Sequence, residues 1–163
     1  MKEITLTQGK VALVDDDTYE YLNQFKWFAH KNNSGPFYAV RTDRTSGKQI
    51  KICMHRLIMG ISDPKILVDH KDRDGLNNQR YNLRMANKSQ NNANRRARRN
   101  GSSKYLGVCW DKREKKWRVQ IKKNGIIKHV GMFSNEDDAA LAYNEKAIVM
   151  HGDFARLNTC TKK

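Results

Sequence analysis

The stretch Asn91-Asn92-Ala93-Asn94-Arg95-Arg96-Ala97-Arg98-Arg99-Asn100-Gly101-Ser102-Ser103 carries no apolar side chain larger than alanine. It has nothing to bury, and its Arg cluster running into Gly-Ser-Ser reads as a linker. The chain on either side must therefore build its own core. With 163 residues and 38% hydrophobic content, each core is modest, and two small modules fit best. The expected boundaries are 1–94, a basic linker over 95–103, and 104–160.

The formal charge of +15 lies well beyond what solubility demands, and a polyanion is the natural partner. Nucleic acid leads, and a membrane surface is a distant second. Cys53, Cys109 and Cys160 are far apart with no paired C-x-x-C spacing. Neither a structural zinc nor a disulfide framework is expected, and reduced thiols in a cytosol are the simplest account. The N-terminal Met1-Lys2-Glu3-Ile4-Thr5 lacks the apolar core of a secretion signal, and no segment is apolar enough to span a bilayer, so the reading is an intracellular, cytoplasmic protein without a membrane partner.

Residues from Glu3 to about Thr45 read as β-rich. Ile4 to Thr7, a Gly9-Lys10 turn and Val11 to Val14 predict a hairpin. Asp17 or Thr18 is positioned to cap a short helix holding Tyr19, Leu22 and Phe25. Phe37 to Arg41 and Gln49 to Met54 predict another hairpin around Thr45-Ser46-Gly47-Lys48. The triple acid Asp15-Asp16-Asp17 is better explained as a turn or helix N-terminus than as a metal site.

The chemistry concentrates at Asp69-His70. Ile66-Leu67-Val68 is a β-prone run leading into this pair, and Lys71-Asp72-Arg73-Asp74-Gly75 is a polar turn. Leu83-Arg84-Met85 predicts a second strand, and Asn87 or Ser89 starts a polar helix carrying Asn91. Phosphodiester hydrolysis needs a water relieved of its proton, a Lewis acid on the phosphate and relief of charge on the departing oxygen. His70 offers the base. Asp69 and Asn91 offer hard oxygen ligands that suit Mg²⁺, Mn²⁺ or Ca²⁺, with coordination positions left open. Adjacent residues on a regular strand point to opposite faces, so Asp69 and His70 serve one phosphate only at a distorted strand end or with the phosphate edge between them. His55, ahead of Arg56-Leu57-Ile58-Met59, reads as packing or hydrogen bonding under this core, with phosphate contact as the alternative. Arg84 is open to a phosphate contact or a positioning ion pair. His30 and His151 have no partner pattern and read as ordinary surface or packing histidines.

Met54-His55-Arg56-Leu57-Ile58, Val68-Asp69-His70, Asn82-Leu83-Arg84 and Asn91 together resemble the HNH nucleases, and more closely their homing-endonuclease branch. The resemblance implies a ββα-metal core over about 53–94 behind a β-rich part at 1–52. Within it Asp69 and Asn91 would hold a divalent metal, His70 would be the general base, and Asn82 would orient the strand or ring of His70. Asn91 stands where many relatives carry His, which favours Mg²⁺ or Mn²⁺ and resembles the phage and intron enzymes. A bacterial or phage-infected host follows.

From Lys104 the pattern changes. Tyr105 to Trp110, Trp117 to Lys122 and Ile126 to Phe133 read as three strands, the last two joined at the hairpin signal Asn124-Gly125. Ser134 with Asp137 predicts a capping box for an Ala-rich helix through Ala139, Ala142, Tyr143 and Ala147. Ser103-Lys104-Tyr105, Gly107-Val108, Lys116-Trp117, Gly131-Met132-Phe133, Ala139-Ala140…Ala142-Tyr143 and Ala155-Arg156-Leu157-Asn158 resemble the APETALA/ethylene-response-factor DNA-binding domain. That family docks its sheet in the major groove of double-stranded DNA. Alternation puts Arg118, Gln120 and Lys122 on one strand face, and these are the expected readers. Lys112, Arg113, Lys115, Lys123 and Lys128 are expected on phosphate, and Arg95, Arg96, Arg98 and Arg99 of the linker on phosphate and minor groove without strong sequence preference, for which a merely solvated charge run is the alternative. Trp110 is open to a sugar or base contact or to packing, and Trp117 is expected in the core. Cys109 and His129 stand where the family commonly has Arg and Trp, so its target sequence does not transfer.

The fold class expected is thus α+β: a β-rich start, a ββα core, a linker, then a three-stranded antiparallel sheet on one helix. The expected function is a site-specific, divalent-metal-dependent DNA endonuclease of the phage or mobile-element homing type, a monomer or a transient dimer on DNA. A DNA-binding regulator with an inactive nuclease site is the alternative. An RNA-binding protein would rest on charge alone.

Overall fold

The computed structural model describes residues 1–31, 35–45, 47–95 and 101–160. Arg96, Arg98 and Arg99 of the expected phosphate contacts, and Ser46 of the second expected hairpin turn, lie outside them. The chain divides into two compact units, Met1–Asn87 and Lys88–Lys163.

In the first unit, β1 (Lys2–Thr5) and β2 (Val11–Val14) form the expected antiparallel hairpin. Gln8 and Gly9 both take positive φ in its turn. Helix α1 (Asp16–Leu22) follows, starting earlier than its sequence signals indicated, with Asp15 at the cap position. A strand not foreseen, β3 (Phe28–Lys31), pairs with β4 (Phe37–Asp43), which pairs in turn with β5 (Ile50–Cys53). The short helix α2 (Met54–Ile58) then carries His55 into the interior. Ile4, Leu6, Ala12, Val14, Leu22, Trp27, Ala29, Ala39 and Met54 make one core from these elements. The indole Nε1 of Trp27 satisfies itself on the Leu22 carbonyl at 2.8 Å, as a buried indole must.

Two further strands close the unit. β6 (Leu67–His70) pairs antiparallel with β7 (Leu83–Ala86), Asp69 opposite Arg84 and His70 opposite Leu83. Between them runs a polar loop ending in a 3-10 turn, Arg80–Asn82. Helix α3 (Lys88–Ala93), which carries Asn91, follows β7 in sequence but falls within the second unit.

The second unit's sheet has the order β10 (Ile126–Phe133), β9 (Lys116–Lys123), β8 (Val108–Asp111), all antiparallel. Helix α4 (Glu136–His151) packs on it. Its cap is Asn135 rather than Ser134: the Asn135 side chain accepts the amides of Asp137 and Asp138 at 2.7 and 3.2 Å, one residue later than the capping-box spacing implied. The Ala139, Ala140 and Ala147 stripe lets α4 lie close on Val119 and Ile121. Gly107 permits the nearest approach, since a Cβ there would sit 2.2 Å from the Tyr143 ring.

Candidate active site

β6 delivers Asp69 and His70 to opposite sides of a two-stranded ribbon, as the pleat dictates. Asp69 turns toward its cross-strand neighbour, and its Oδ2 accepts both Nε and Nη2 of Arg84, at 2.8 and 2.6 Å. The pair is almost wholly sequestered, with side-chain exposures of 15% for Arg84 and 7% for Asp69. Of the two roles open to Arg84, the structure displays the ion pair.

His70 turns the other way, into a cluster of rings. Its centroid lies 5.1 Å from that of His55 with the planes at 83°, and 5.8 Å from Tyr38. Tyr38 and His55 are themselves 5.5 Å apart. Burial pushes the pKa of His70 down, against the opposing pull of Asn78, Asp72, Asp69 and Asp74. It pushes that of His55 to about 3, helped by His70 and Arg56. Both imidazoles are neutral at neutral pH, the state in which a histidine accepts a proton. The same burial, with the Asp69 and Cys53 charges, raises the Tyr38 phenol above its ordinary value.

The segment after His70 is tied down by side chains that replace regular backbone pairing. Asn82 accepts the Asp72 amide at 3.0 Å through Oδ1, and donates through Nδ2 to the Asp72 carboxylate at 2.9 Å and the Asn77 carbonyl at 2.8 Å. Its own carbonyl accepts the Lys71 amide. Asn82 thus grips the turn next to His70 rather than the imidazole itself. Asn77 donates to the other Asp72 oxygen at 2.7 Å. Fully buried Asn78 donates to the Leu76 carbonyl. The loop is also stitched to β2: Leu13 pairs with Asn77, and Asp15 accepts the Arg80 amide at 2.7 Å. Of the triple acid, then, Asp15 serves a helical turn far along the chain and not its own helix.

Among the expected catalytic and metal residues, the first unit gathers Asp69, His70 and Asn82. Asn91 lies half-buried on α3 in the second unit. Tyr38 carries no sequence signal in an ordinary strand, whereas His55, visible in the Met54-His55-Arg56 motif, is buried and packed against rings, as the packing reading expects. The buried asparagines were foreshadowed by the density of Asn between Asn77 and Asn82.

In the second unit, Arg118, Gln120 and Lys122 share a face with Cys109, Ile127 and His129, their pairing partners or pleat neighbours. Val108, Val119 and Ile121 point to α4. The register places Trp110 opposite Trp117 and Lys128 opposite Ile121. Neither shares the Arg118 face. Trp110 packs edge-on against Trp117 at 5.0 Å between centroids, and Trp117 is half-buried against the core as expected. Lys112 and Arg113 sit exposed in the β8–β9 turn, which the Asp111 carboxylate holds by accepting the Arg113 and Glu114 amides. Arg95 is exposed just after α3.

The first unit thus carries a two-stranded ribbon with a buried Asp-His pair, followed by a polar loop clamped by asparagine. The chain is 30% identical over 151 residues to an uncharacterized HNH endonuclease of Acanthamoeba polyphaga mimivirus, the alignment covering 93% of this chain and 76% of that protein. The chain belongs to the HNH endonuclease family. No family profile matches it. No solved structure matches it either. No helix among the described residues is long and apolar enough to cross a membrane.

Proposed function

We propose that this protein is a site-specific, divalent-metal-dependent DNA endonuclease of the homing type. The observation that carries the reading is the placement of His70: a neutral, buried imidazole at the end of β6, one residue beyond a carboxylate held by Arg84. His70 takes the proton of the attacking water. Asn82 fixes the turn that follows it, and Arg84 sets the direction of the Asp69 carboxylate.

The donor chemistry fits a hard cation. Asp69 would hold it from the first unit, and its carboxylate oxygens suit Mg²⁺ or Mn²⁺ with most positions left to water and phosphate. Such an ion supplies polarisation of the phosphate and neutralisation of the departing oxygen.

Target choice falls to the second unit, read as an APETALA/ethylene-response-factor-like module over about 104–160. A sheet with Arg118, Gln120 and Lys122 on its open face suits base edges in the major groove. Lys112, Arg113 and the linker arginines suit backbone phosphate, which positions without reading. Trp110 and Lys128, turned from that face, are assigned no base contact.

The test is incubation of plasmid DNA with the full chain and Mg²⁺ or Mn²⁺, with and without chelator, beside His70→Ala. Metal-dependent nicking or cutting that His70→Ala abolishes, with DNA affinity retained, is the expected result. Intact plasmid from folded, DNA-bound protein would support the inactive regulator instead.

A further inference from the structure

Three elements that are distant in sequence bring Tyr38, His55 and His70 into mutual ring contact. Tyr38 comes from β4, His55 from α2 and His70 from β6. Once β6 has placed the Cβ of His70, the chief freedom left to its imidazole is rotation about the Cβ–Cγ bond, which is broad for a histidine. The perpendicular ring of His55 and the tilted ring of Tyr38 lie against it and restrict that rotation, beside a hydrogen bond with the Asn78 side chain.

Tyr38 cannot retreat. The loop after β6 crosses it so closely at Gly75 that a Cβ there would meet Tyr38 Cδ1 at 2.7 Å and the Phe37 carbonyl at 2.3 Å. The wall is therefore pressed between the sheet and the loop that Asn82 clamps.

Bulk alone does not explain why residue 55 is a histidine. His55 is 9% exposed, and its Nδ1 is buried with no hydrogen-bond partner among the described residues. An orphaned buried nitrogen costs stability, and an apolar ring of similar size would fill the same space without that cost. The polar edge of an imidazole, electropositive toward a neighbouring ring face, gives a directed contact of the kind that favours perpendicular rings.

We propose that His55 is a positioning residue of the nuclease site, its perpendicular imidazole helping to set the ring plane of His70 and so which nitrogen of His70 meets the attacking water. This rests on His70 being the general base of the proposed endonuclease. A general base works only within hydrogen-bond reach of the proton it removes, so a ring free to swing spends less time in the productive pose.

His55→Phe in the full chain is the deciding variant. It should keep or raise Tm, leave DNA affinity and KM unchanged, and lower kcat at least tenfold. His55→Ala should lower kcat as far and also lower Tm. The ring ¹⁵N resonances of His70, read by NMR without added metal, should move in His55→Phe and stay in place in His151→Gln. Wild-type cleavage by His55→Phe with unmoved His70 resonances overturns the proposal. So does a parallel loss of DNA affinity, or loss of the fold, since either makes His55 structural. If the wild-type chain cuts no DNA with Mg²⁺ or Mn²⁺, the endonuclease reading falls separately, and the His70 resonances still decide whether His55 orients that ring.

Discussion

Asp69 carries its charge in a nearly closed setting, and Arg84 is what makes that tolerable. Removing one partner of a buried ion pair strands the other charge, so Arg84→Met should lower the unfolding free energy by about 3–5 kcal/mol, measured by urea denaturation. An unchanged midpoint would mean that the pair contributes nothing to the fold. His55 makes the opposite kind of prediction, because it is buried neutral. Its ordinary value is 6.5 and its folded value about 3, so in the window between them the unfolded chain binds a proton that the native chain does not. Its contribution to stability is whole above pH 6.5 and is lost as pH falls toward 3. The slope should approach about 1.4 kcal/mol per pH unit for this single proton. Stability curves of the wild type and His55→Phe should diverge through that window; parallel curves would argue against the burial. Asp69, His70 and Asn82 stand out in the sequence because their spacing along the chain is itself the signal, and the fold gathers them in one unit. Tyr38 does not, because its role comes from a ring contact across strands and leaves no trace in local pattern.

Among the elements, the loop between β6 and β7 depends most on parts remote from it. Regular pairing cannot hold so polar a segment, and Asn77, Asn82 and Asp72 replace it with side-chain bonds to backbone groups and to one another. The Asp15 carboxylate satisfies the start of the 3-10 turn at Arg80, which makes the N-terminal hairpin a support for the loop between β6 and β7. Asp15→Ala should cost about 1–2 kcal/mol, in the range of a lost cap bond. It should also speed amide exchange at Arg80 while leaving α1 protected; exchange that accelerates in α1 instead would assign Asp15 to its own helix. The hairpins β1–β2 and β9–β10 were readable from turn residues and alternation. β3 was missed because Phe28-Ala29-His30-Lys31 is short and its partner β4 supplies the reason it is extended. The position of the α4 cap was missed by one residue, since Ser134 and Asn135 are both good caps and backbone geometry chooses between them.

For the molecule as a whole, the +15 charge and the two compact units set the expectations for DNA binding. Replacing Lys112 and Arg113 by alanine should weaken binding alike on all sequences and lower the salt slope by about 2, measured by titration at several salt concentrations. Replacing Arg118, Gln120 and Lys122 should instead erase site preference while plasmid nicking persists. A variant that keeps its full preference would show that the open face of the sheet is not the reader. The sequence calls for two modules, but the compact units part between Asn87 and Lys88, ahead of the expected boundary at 94, because α3 falls with the second unit. Residue type limits which protons and cations a side chain can handle, and that is why the sequence singles out Asp69 and His70. Tertiary structure alone decided which groups surround that chemistry. Folding spends local freedom on contacts between distant segments, and so it was packing that set Arg84 on Asp69, His55 and Tyr38 on His70, and Asp15 beneath the loop.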